Sequence, residues 1–237
     1  MTYVISDIHG QKDKFDTMLK NINFSENDHL YILGDVIDRG PDGIKIIQEI
    51  MKHDNMHMLL GNHEYVMLDA LDDPYDEYHT TDSYNYWLAH NCGQPTLLQY
   101  KKLSNTEKDE IRKFLKNLPL NIDIEINNTK YKLVHACPVS AYYKFEQKNF
   151  SCFSTPASVA VWNRQYIMHY VDNSEYITIF GHTNSAAYNN RKFGKIAYLG
   201  NIIAIDCGCG IFNNNIAKSL GCLRLEDMQE FYVKYIK

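Results

Sequence analysis

Five short apolar segments, each followed at once by polar residues, most constrain how this chain can fold. They are "YVIS", "LYIL", "MHMLL", "YKLV" and "YITIF", and they run into "DIHG", "GDVIDRGPD", "GNHE", "HA" and "GHT". Segments of this length, mostly Ile, Val, Leu and Tyr and bounded by Gly, Asp or His, are typical of buried β-strands. The sequence therefore predicts strands that end at residues able to do chemistry.

The segments between these strands predict how the strands are connected. "QKDKFDTMLKNI" and "DGIKIIQEIM" each place apolar residues on one helical face, which gives a β-α-β-α-β order with parallel strands and right-handed crossovers. Residues 65 to about 118 are predicted to form a helical insertion, with a loop around Pro74 and a capping box at Ser104 and Glu107. "KIAYL", "NIIAIDCG", "SLGCLRL" and "EFYVKYI" read as further strands. We expect one domain over residues 1–237.

Composition excludes several functional classes. A net charge of −5 argues against a nucleic-acid partner, because nucleic-acid binding depends on basic surfaces. The chain has no apolar run of 18 residues, so no membrane partner is expected. The start "MTYVISDIHG" lacks the features of a signal peptide, so we expect a cytoplasmic protein. The six cysteines are interpreted as reduced thiols that mostly fill the core.

The polar residues at the strand ends are candidate metal ligands. Ligands of open α/β sheets bind beyond the carboxyl ends of the strands, so the five ends should converge. They carry Asp7, His9, Asp35, Asn62, His135 and His182. Oxygen and imidazole donors without a thiolate suit Mn, Fe, Ni or Zn rather than Ca or a structural zinc. Six ligands are too many for one catalytic ion, and they indicate two ions that share a carboxylate, about 3.5–4 Å apart.

Charge arithmetic then indicates an anionic substrate. Two divalent ions would bring four positive charges, of which Asp7, Asp35 and a bridging hydroxide remove three. Arg39 and Arg164 add positive charge, and a guanidinium group matches the geometry of a phosphate. The site is therefore predicted to stay positive in an acidic protein.

The same motifs carry a family resemblance. "SDIHG", "GDVIDRG", "GNHE", "HA" and "GHT" resemble the signature of the PPP-type metallophosphoesterases, the Ser/Thr protein phosphatase family. "VHA", "VWNRQY" and "NYWLAHNCGQPTLLQY" are similar to its bacterial and phage branch, although Cys92 stands where a glycine is usual. The resemblance implies an α/β fold of the calcineurin-like type, a β-sandwich of two mixed sheets flanked by helices.

The resemblance also implies roles for individual residues. The first metal would be held by Asp7, His9 and Asp35, and the second by Asp35, Asn62, His135 and His182. Manganese is the expected metal, with iron, zinc or nickel as alternatives. Arg39 and Arg164 would bind phosphate oxygens with help from Asn62, while His63, oriented by Asp38, would be the general acid.

The implied reaction is hydrolysis of a phosphomonoester by direct attack of a metal-bridging hydroxide. The expected partner is a protein or peptide phosphorylated on serine or threonine, with phosphotyrosine and phosphohistidine left open. A diadenosine polyphosphate hydrolase on the same core is the alternative, and a phospho-binding module without catalysis is an alternative of another class. The acidic stretch 69–87 is predicted to border the mouth of the site and to favour basic peptides, or else to be an ordinary solvated face.

Overall fold

Two mixed five-stranded sheets form the framework of the protein. The computed structural model of the chain describes residues 1–72, 82–145, 155–164, 175–211 and 217–235. Its strands are β1 (Thr2–Ile5), β2 (His29–Ile32), β3 (Met56–Met58), β4 (Asn121–Ile126), β5 (Thr129–Val134), β6 (Tyr176–Phe180), β7 (Ala197–Leu199), β8 (Ile202–Ala204), β9 (Ser219–Arg224) and β10 (Gln229–Lys234).

The first sheet contains the predicted β-α-β-α-β unit. Its strand order is β10-β9-β1-β2-β3, in which β1, β2 and β3 are parallel and β9 runs antiparallel to β1 and β10. Helices α1 (Lys12–Asn21) and α2 (Gly43–Ile50) connect the parallel strands, as the sequence predicted. The second sheet has the order β4-β5-β6-β8-β7, with β5, β6 and β8 parallel. Both sheets are therefore mixed, and the predicted fold class is confirmed.

The two sheets pack against each other because their strands alternate apolar residues between two faces. Val4 of β1 packs with Leu133 of β5 and Ile179 of β6 in an apolar layer between the sheets. Tyr3 and Ile5 point the other way, into a larger core beneath the helices. Successive side chains of a strand point to opposite faces, so one short apolar run contributes side chains to both apolar layers.

The insertion between β3 and β4 is helical in its described part. It contains α3 (Asn62–Asp72), α4 (Asp82–His90), α5 (Gln94–Tyr100) and α6 (Asn105–Lys116). The predicted capping box is present, because the Ser104 hydroxyl accepts from the Glu107 N–H and the Glu107 carboxylate accepts from the Ser104 N–H. The loop predicted around Pro74 lies outside the described residues. In the described ranges, the helices are all too short or too polar to cross a membrane.

Strand β4 and two short helices of the described residues had no counterpart among the predicted elements. Strand β4 occupies a sheet edge, and its "NIDIEI" sequence places Asp123 and Glu125 outwards, so it lacks a continuous apolar run. Helices α7 (Ser140–Phe145) and α8 (Pro156–Trp162) have only six and seven residues, too few for a clear helical period. Helix α8 begins with a capping box between Thr155 and Ser158.

Gly10 allows the loops that follow β1 and β2 to lie in direct contact. Its N–H donates to the carbonyl of Val36 at 2.7 Å, and the N–H of Gly40 donates to the carbonyl of His9 at 3.0 Å. Gly10 has a φ of +68°, and a Cβ placed there would lie 2.5 Å from the carbonyl oxygen of Gly40. No side chain fits between the two loops.

Gly10→Ala should therefore destabilise the protein more than Gly200→Ala does. Gly200 has a similar φ of +62° but no atom within 4 Å of an added Cβ. Its substitution should cost about 1–2 kcal/mol, which is the strain of a left-handed alanine alone. Gly10→Ala adds a collision with backbone, so its free energy of unfolding in urea should fall further. Equal losses in the two variants would show that the loops separate easily.

Candidate active site

The ends of five strands bring the six predicted metal ligands together. Asp7 and His9 follow β1, Asp35 follows β2, Asn62 follows β3, and His135 and His182 follow β5 and β6. Each of the six exposes 7% of its surface or less. The convergence follows from the topology, because parallel strands within each sheet end at the same edge.

Several of these residues hold an uncommon backbone conformation. Asp7, His9, Asp35 and His182 have φ values of 52°, 49°, 53° and 62°. A left-handed conformation costs a non-glycine residue about 1–2 kcal/mol. Such strained residues concentrate at functional sites, where the surrounding structure must hold them in place.

The ring of His9 presents a lone pair to two carboxylates. Its Nδ1 lies 3.1 Å from the carbonyl oxygen of Ile37, which can only accept, so Nδ1 carries the proton. Burial lowers the pKa of His9 well below its ordinary value and keeps the ring neutral. Its Nε2 lies 3.9 Å from Asp7 Oδ1 and 3.8 Å from Asp35 Oδ2, too far for hydrogen bonds. Three lone-pair donors thus face one another, an arrangement that suits a cation.

A second set of donors lies on the other side of Asp35. His135 Nδ1 lies 2.6 Å from the carbonyl oxygen of Leu33, so its Nε2 is the lone-pair nitrogen. That Nε2 lies 3.0 Å from Asn62 Oδ1 and 3.4 Å from Asp35 Oδ1. His182 Nδ1 lies 2.8 Å from the same Asn62 oxygen. Asp35 therefore turns one carboxylate oxygen to each set, as a bridging ligand would.

The electrostatics of the pocket also fit bound cations. Burial and the charge of Asp35 raise the pKa of Asp7 to about 6. Burial and the charge of Asp7 raise the pKa of Asp206, two residues after the end of strand β8, to about 7. Each carboxylate opposes ionisation of the next, and divalent cations would reverse that effect. Asp35, His135 and His182 form one group with the spacing of a metal site, and His9, Asp35 and His63 form another, in which His63 stands in place of the predicted ligand Asp7.

The ring of His63 lies between the carboxylate of Asp38 and the guanidinium group of Arg39. Its Nδ1 lies 2.7 Å from Asp38 Oδ2, and the indole N–H of Trp87 donates to both oxygens of Asp38 at 3.0 and 3.1 Å. Burial raises the pKa of Asp38 to about 7 and lowers that of His63 to about 4. On the other side, Arg39 Nη2 lies 3.2 Å from His63 Nε2 and donates to it. The observed ring is thus protonated on Nδ1, with Nε2 occupied by Arg39.

The two predicted phosphate-binding arginines both reach this pocket. Arg164 Nη1 donates to the carbonyl of His182 at 3.2 Å and to Thr183 Oγ1 at 2.8 Å. The backbone N–H of Arg39 donates to the carbonyl of Cys92 at 3.1 Å. Cys92 adopts a φ of 57°, so the conformation that usually takes glycine is retained with a side chain. The structure therefore brings all ten predicted site residues together, while their roles remain predictions.

Sequence reasoning missed several residues that support the site. Glu64 is fully buried, and its carboxylate accepts from the backbone N–H groups of Asp35, Val36, Ile37 and Gly61 at 2.9–3.2 Å. The position of Glu64 in the "GNHE" motif could have identified it from the sequence. Asp206 follows an apolar run just as Asp7 and Asp35 do, and that signal was overlooked. Trp87 could not be identified from local sequence, because its partner Asp38 lies 49 residues away.

Three of the other histidines have partners outside this arrangement. His29 and His57 pair with each other at 3.1 Å, and His53 lies 3.7 Å from Glu49. His79 and His169 lie outside the described residues, and so do residues 73–81 of the acidic stretch. The prediction that this stretch selects basic peptides therefore stays a prediction.

Comparisons with known proteins agree with this geometry. Residues 2–203 match the model of the calcineurin-like phosphoesterase family. The chain is 26% identical over 208 residues to serine/threonine-protein phosphatase 2 of Escherichia coli (strain K12), which covers 87% of this chain and 86% of that protein. It is 47% identical over 68 residues to the symmetrical bis(5'-nucleosyl)-tetraphosphatase of Wigglesworthia glossinidia brevipalpis, which covers 28% of this chain and only 25% of that protein.

A solved structure provisionally identified as a diadenosine tetraphosphatase has a similar fold. The TM-score is 0.62 at 15% identity, and the match covers 98% of this chain and 92% of that one. At this identity the likeness concerns the fold.

Asp35→Asn should release both metal ions, whereas Asp38→Asn should retain them. Both residues are buried and have left-handed backbones, at φ 53° and 66°, and asparagine tolerates this conformation, so the pair is matched. Only Asp35 faces both donor sets. Metal content after gel filtration of the manganese-loaded proteins, measured by mass spectrometry, checks the result. Two retained ions in Asp35→Asn would show that Asp35 is not the bridge.

Proposed function

Because the chain belongs to the calcineurin-like phosphoesterase family, we propose that it is a metal-dependent phosphatase acting on phosphoserine and phosphothreonine in proteins. One observation carries this proposal: two sets of lone-pair donors share Asp35, beside the guanidinium groups of Arg39 and Arg164. Such a pocket suits a phosphate ester held on two cations. The similarity to a Ser/Thr protein phosphatase over most of the chain supports the choice of substrate.

The proposed cofactor is a pair of divalent ions. Asp7, His9 and Asp35 would hold one ion, and Asp35, Asn62, His135 and His182 would hold the other. When bound, the ions would lower the pKa of a water molecule, so that hydroxide is available as the nucleophile near neutral pH. Manganese suits a set of nitrogen and oxygen donors without thiolate, and iron, zinc and nickel share that preference.

The residues of the chain would then position the ester and move one proton. Arg39 and Arg164 bind phosphate oxygens, with the Asn62 amide beside them. Arg39 now donates to His63 Nε2, and a bound phosphate would draw the guanidinium away. His63 Nε2, which carries no proton in the observed ring, would then be free to take a proton from solvent and pass it to the departing oxygen. Asp38 and Trp87 would hold the opposite side of the ring in place.

Symmetrical hydrolysis of a dinucleoside tetraphosphate is the second candidate. It is favoured by the 47% identity over 68 residues to a symmetrical tetraphosphatase. That match covers 25% of the relative, whereas the match to the protein phosphatase covers 86%. A phospho-binding module without catalysis is disfavoured, because the Asp38–His63 pair has a geometry suited to proton transfer.

A substrate panel tests the proposed function. Metal-stripped protein is reloaded in turn with Mn, Ni, Zn or Mg, and kcat/KM is measured on a phosphoserine peptide, a phosphothreonine peptide and diadenosine tetraphosphate. We expect metal-dependent turnover with the peptides preferred. A preference for diadenosine tetraphosphate would favour the second candidate. Binding of phosphopeptide without turnover under every metal would favour the binding module.

His63→Asn should lose more activity on a substrate whose leaving group needs a proton than on one whose leaving group is stable as an anion. A serine alkoxide is a poor leaving group, so the loss on a phosphoserine peptide should be about 10²–10⁴-fold. Nitrophenolate is stable as an anion, so the loss on nitrophenyl phosphate should be distinctly smaller. Metal content should stay normal. Equal losses on both substrates would remove His63 from the role of general acid, and loss of metal would make it a ligand.

A further inference from the structure

A short loop after strand β8 covers the imidazole ring of His9, a proposed metal ligand. It comprises residues 208–211, and we call it the cover loop. A Cβ placed on Gly210 would lie 2.4 Å from Cδ2 and 2.6 Å from Cγ of His9, so the backbone of this glycine lies directly against the ring. A side chain at position 210 would push the loop off the ring. None of the roles proposed above uses this contact.

Two hydrogen bonds from other parts of the chain hold the cover loop, one on either side of Gly210. The hydroxyl of Tyr235 donates to the carbonyl of Cys209. Nζ of Lys218 donates to the carbonyl of Ile211 at 2.7 Å. The middle of the loop therefore cannot move away from the imidazole unless one of these bonds breaks.

The side chain of Tyr235 is itself held in place by two lysines. Tyr235 directly follows strand β10, and its ring centroid lies 4.8 Å from Nζ of Lys14 and 4.7 Å from Nζ of Lys218. The backbone N–H of Tyr235 also donates to the carbonyl of Lys218 at 3.4 Å. An ammonium group near an aromatic ring is attracted by the negative face of the ring. These contacts fix the point from which the tyrosine hydroxyl reaches the cover loop.

We infer that Tyr235 is a positioning residue for the first metal ion, acting through the cover loop on the ring of His9. The inference rests on the proposed function, in which His9 holds that ion together with Asp7 and Asp35. Tyr235 itself does not touch the ion or the substrate in this account. It determines how firmly one ligand of the ion is held.

The ring of His9 needs more than one contact to stay in position. Its bond from Nδ1 to the carbonyl of Ile37 fixes one nitrogen and leaves the ring free to tilt about that point. The backbone of Gly210 against the ring blocks the tilt on that side. Nε2 consequently stays directed towards the carboxylates, 3.8 Å from Asp35 Oδ2. Groups that orient a metal ligand usually change the affinity for the metal when they are removed.

The second ion should respond less, because its ligands have supports of their own. His135 is held by the carbonyl of Leu33, and its Nε2 lies 3.0 Å from Asn62 Oδ1. Loss of the Tyr235 hydroxyl should therefore separate the two ions by affinity.

Tyr235→Phe removes the hydroxyl and keeps the ring. In calorimetric titration of the metal-free protein with manganese, this variant should weaken one of two binding steps by roughly 2- to 12-fold, the range for one hydrogen bond between uncharged groups. Tyr232→Phe is the matched control, because Tyr232 lies on the adjoining strand β10 and its hydroxyl donates to Glu230 and accepts from the N–H of Ile196. The control should leave both steps unchanged. Unchanged affinities in Tyr235→Phe would overturn the inference.

A second measurement needs no metal and so separates this inference from the proposed function. Deuterium exchange at Cε1 of each histidine ring, followed by mass spectrometry of the metal-free protein, reports how readily water reaches that ring. Tyr235→Phe should speed exchange at His9 by roughly 2- to 12-fold and leave His135 unchanged, while Tyr232→Phe should change neither. A wild-type protein that binds no manganese would refute only the proposed cofactor. An unchanged rate at His9, or an equal increase at both rings, would overturn the positioning role of Tyr235.

Discussion

The carboxylate of Glu64 is the contact on which the rest of the site depends. It accepts from four backbone N–H groups, three of them in the loop after β2 and one at Gly61 before α3. Asp35, Asp38 and Arg39 in that loop are left-handed, each at a cost of about 1–2 kcal/mol. Burial and the charge of Asp35 raise the pKa of Glu64 to about 8. Hydrogen bonds of about 0.5–1.5 kcal/mol each, the range for an uncharged acceptor, then offset part of that strain. One buried side chain thus holds the proposed bridge, acid partner and phosphate ligand in place together.

Backbone carbonyls then determine which ring nitrogens face the centre of the site. Ile37 and Leu33 lie in the same loop and strand end that Glu64 organises, and their carbonyls take the Nδ1 protons of His9 and His135. Each ring is therefore fixed in one tautomer and one orientation before any ion binds. This is the arrangement expected of metal-binding histidines, whose second nitrogen is usually engaged by a carbonyl or a carboxylate.

The sequence predicted the elements whose contacts lie close together along the chain. The prediction that five apolar runs form strands ending near Asp, Asn or His is confirmed, because a buried strand and its polar end lie within ten residues of each other. Strand β4 was missed because an edge strand needs apolar residues on one face only. Trp87 was missed as a site residue because its partner lies 49 residues away. Three of the four partners of Glu64 lie 27–29 residues away, and only Gly61 is local to it. The contact of Arg39 with His63 likewise depends on two loops meeting in three dimensions.

Helix α4 connects the candidate active site with the protein surface beside it. Trp87 on its inner face holds Asp38, and through Asp38 it holds the ring of His63. Tyr86, one residue earlier, lies on the surface beside Trp162. Any change that rotates the helix about its axis would move both, because adjacent helical positions are separated by a fixed angle. The helical insertion therefore helps to hold the proposed proton donor in place, a task that the strand ends alone cannot perform.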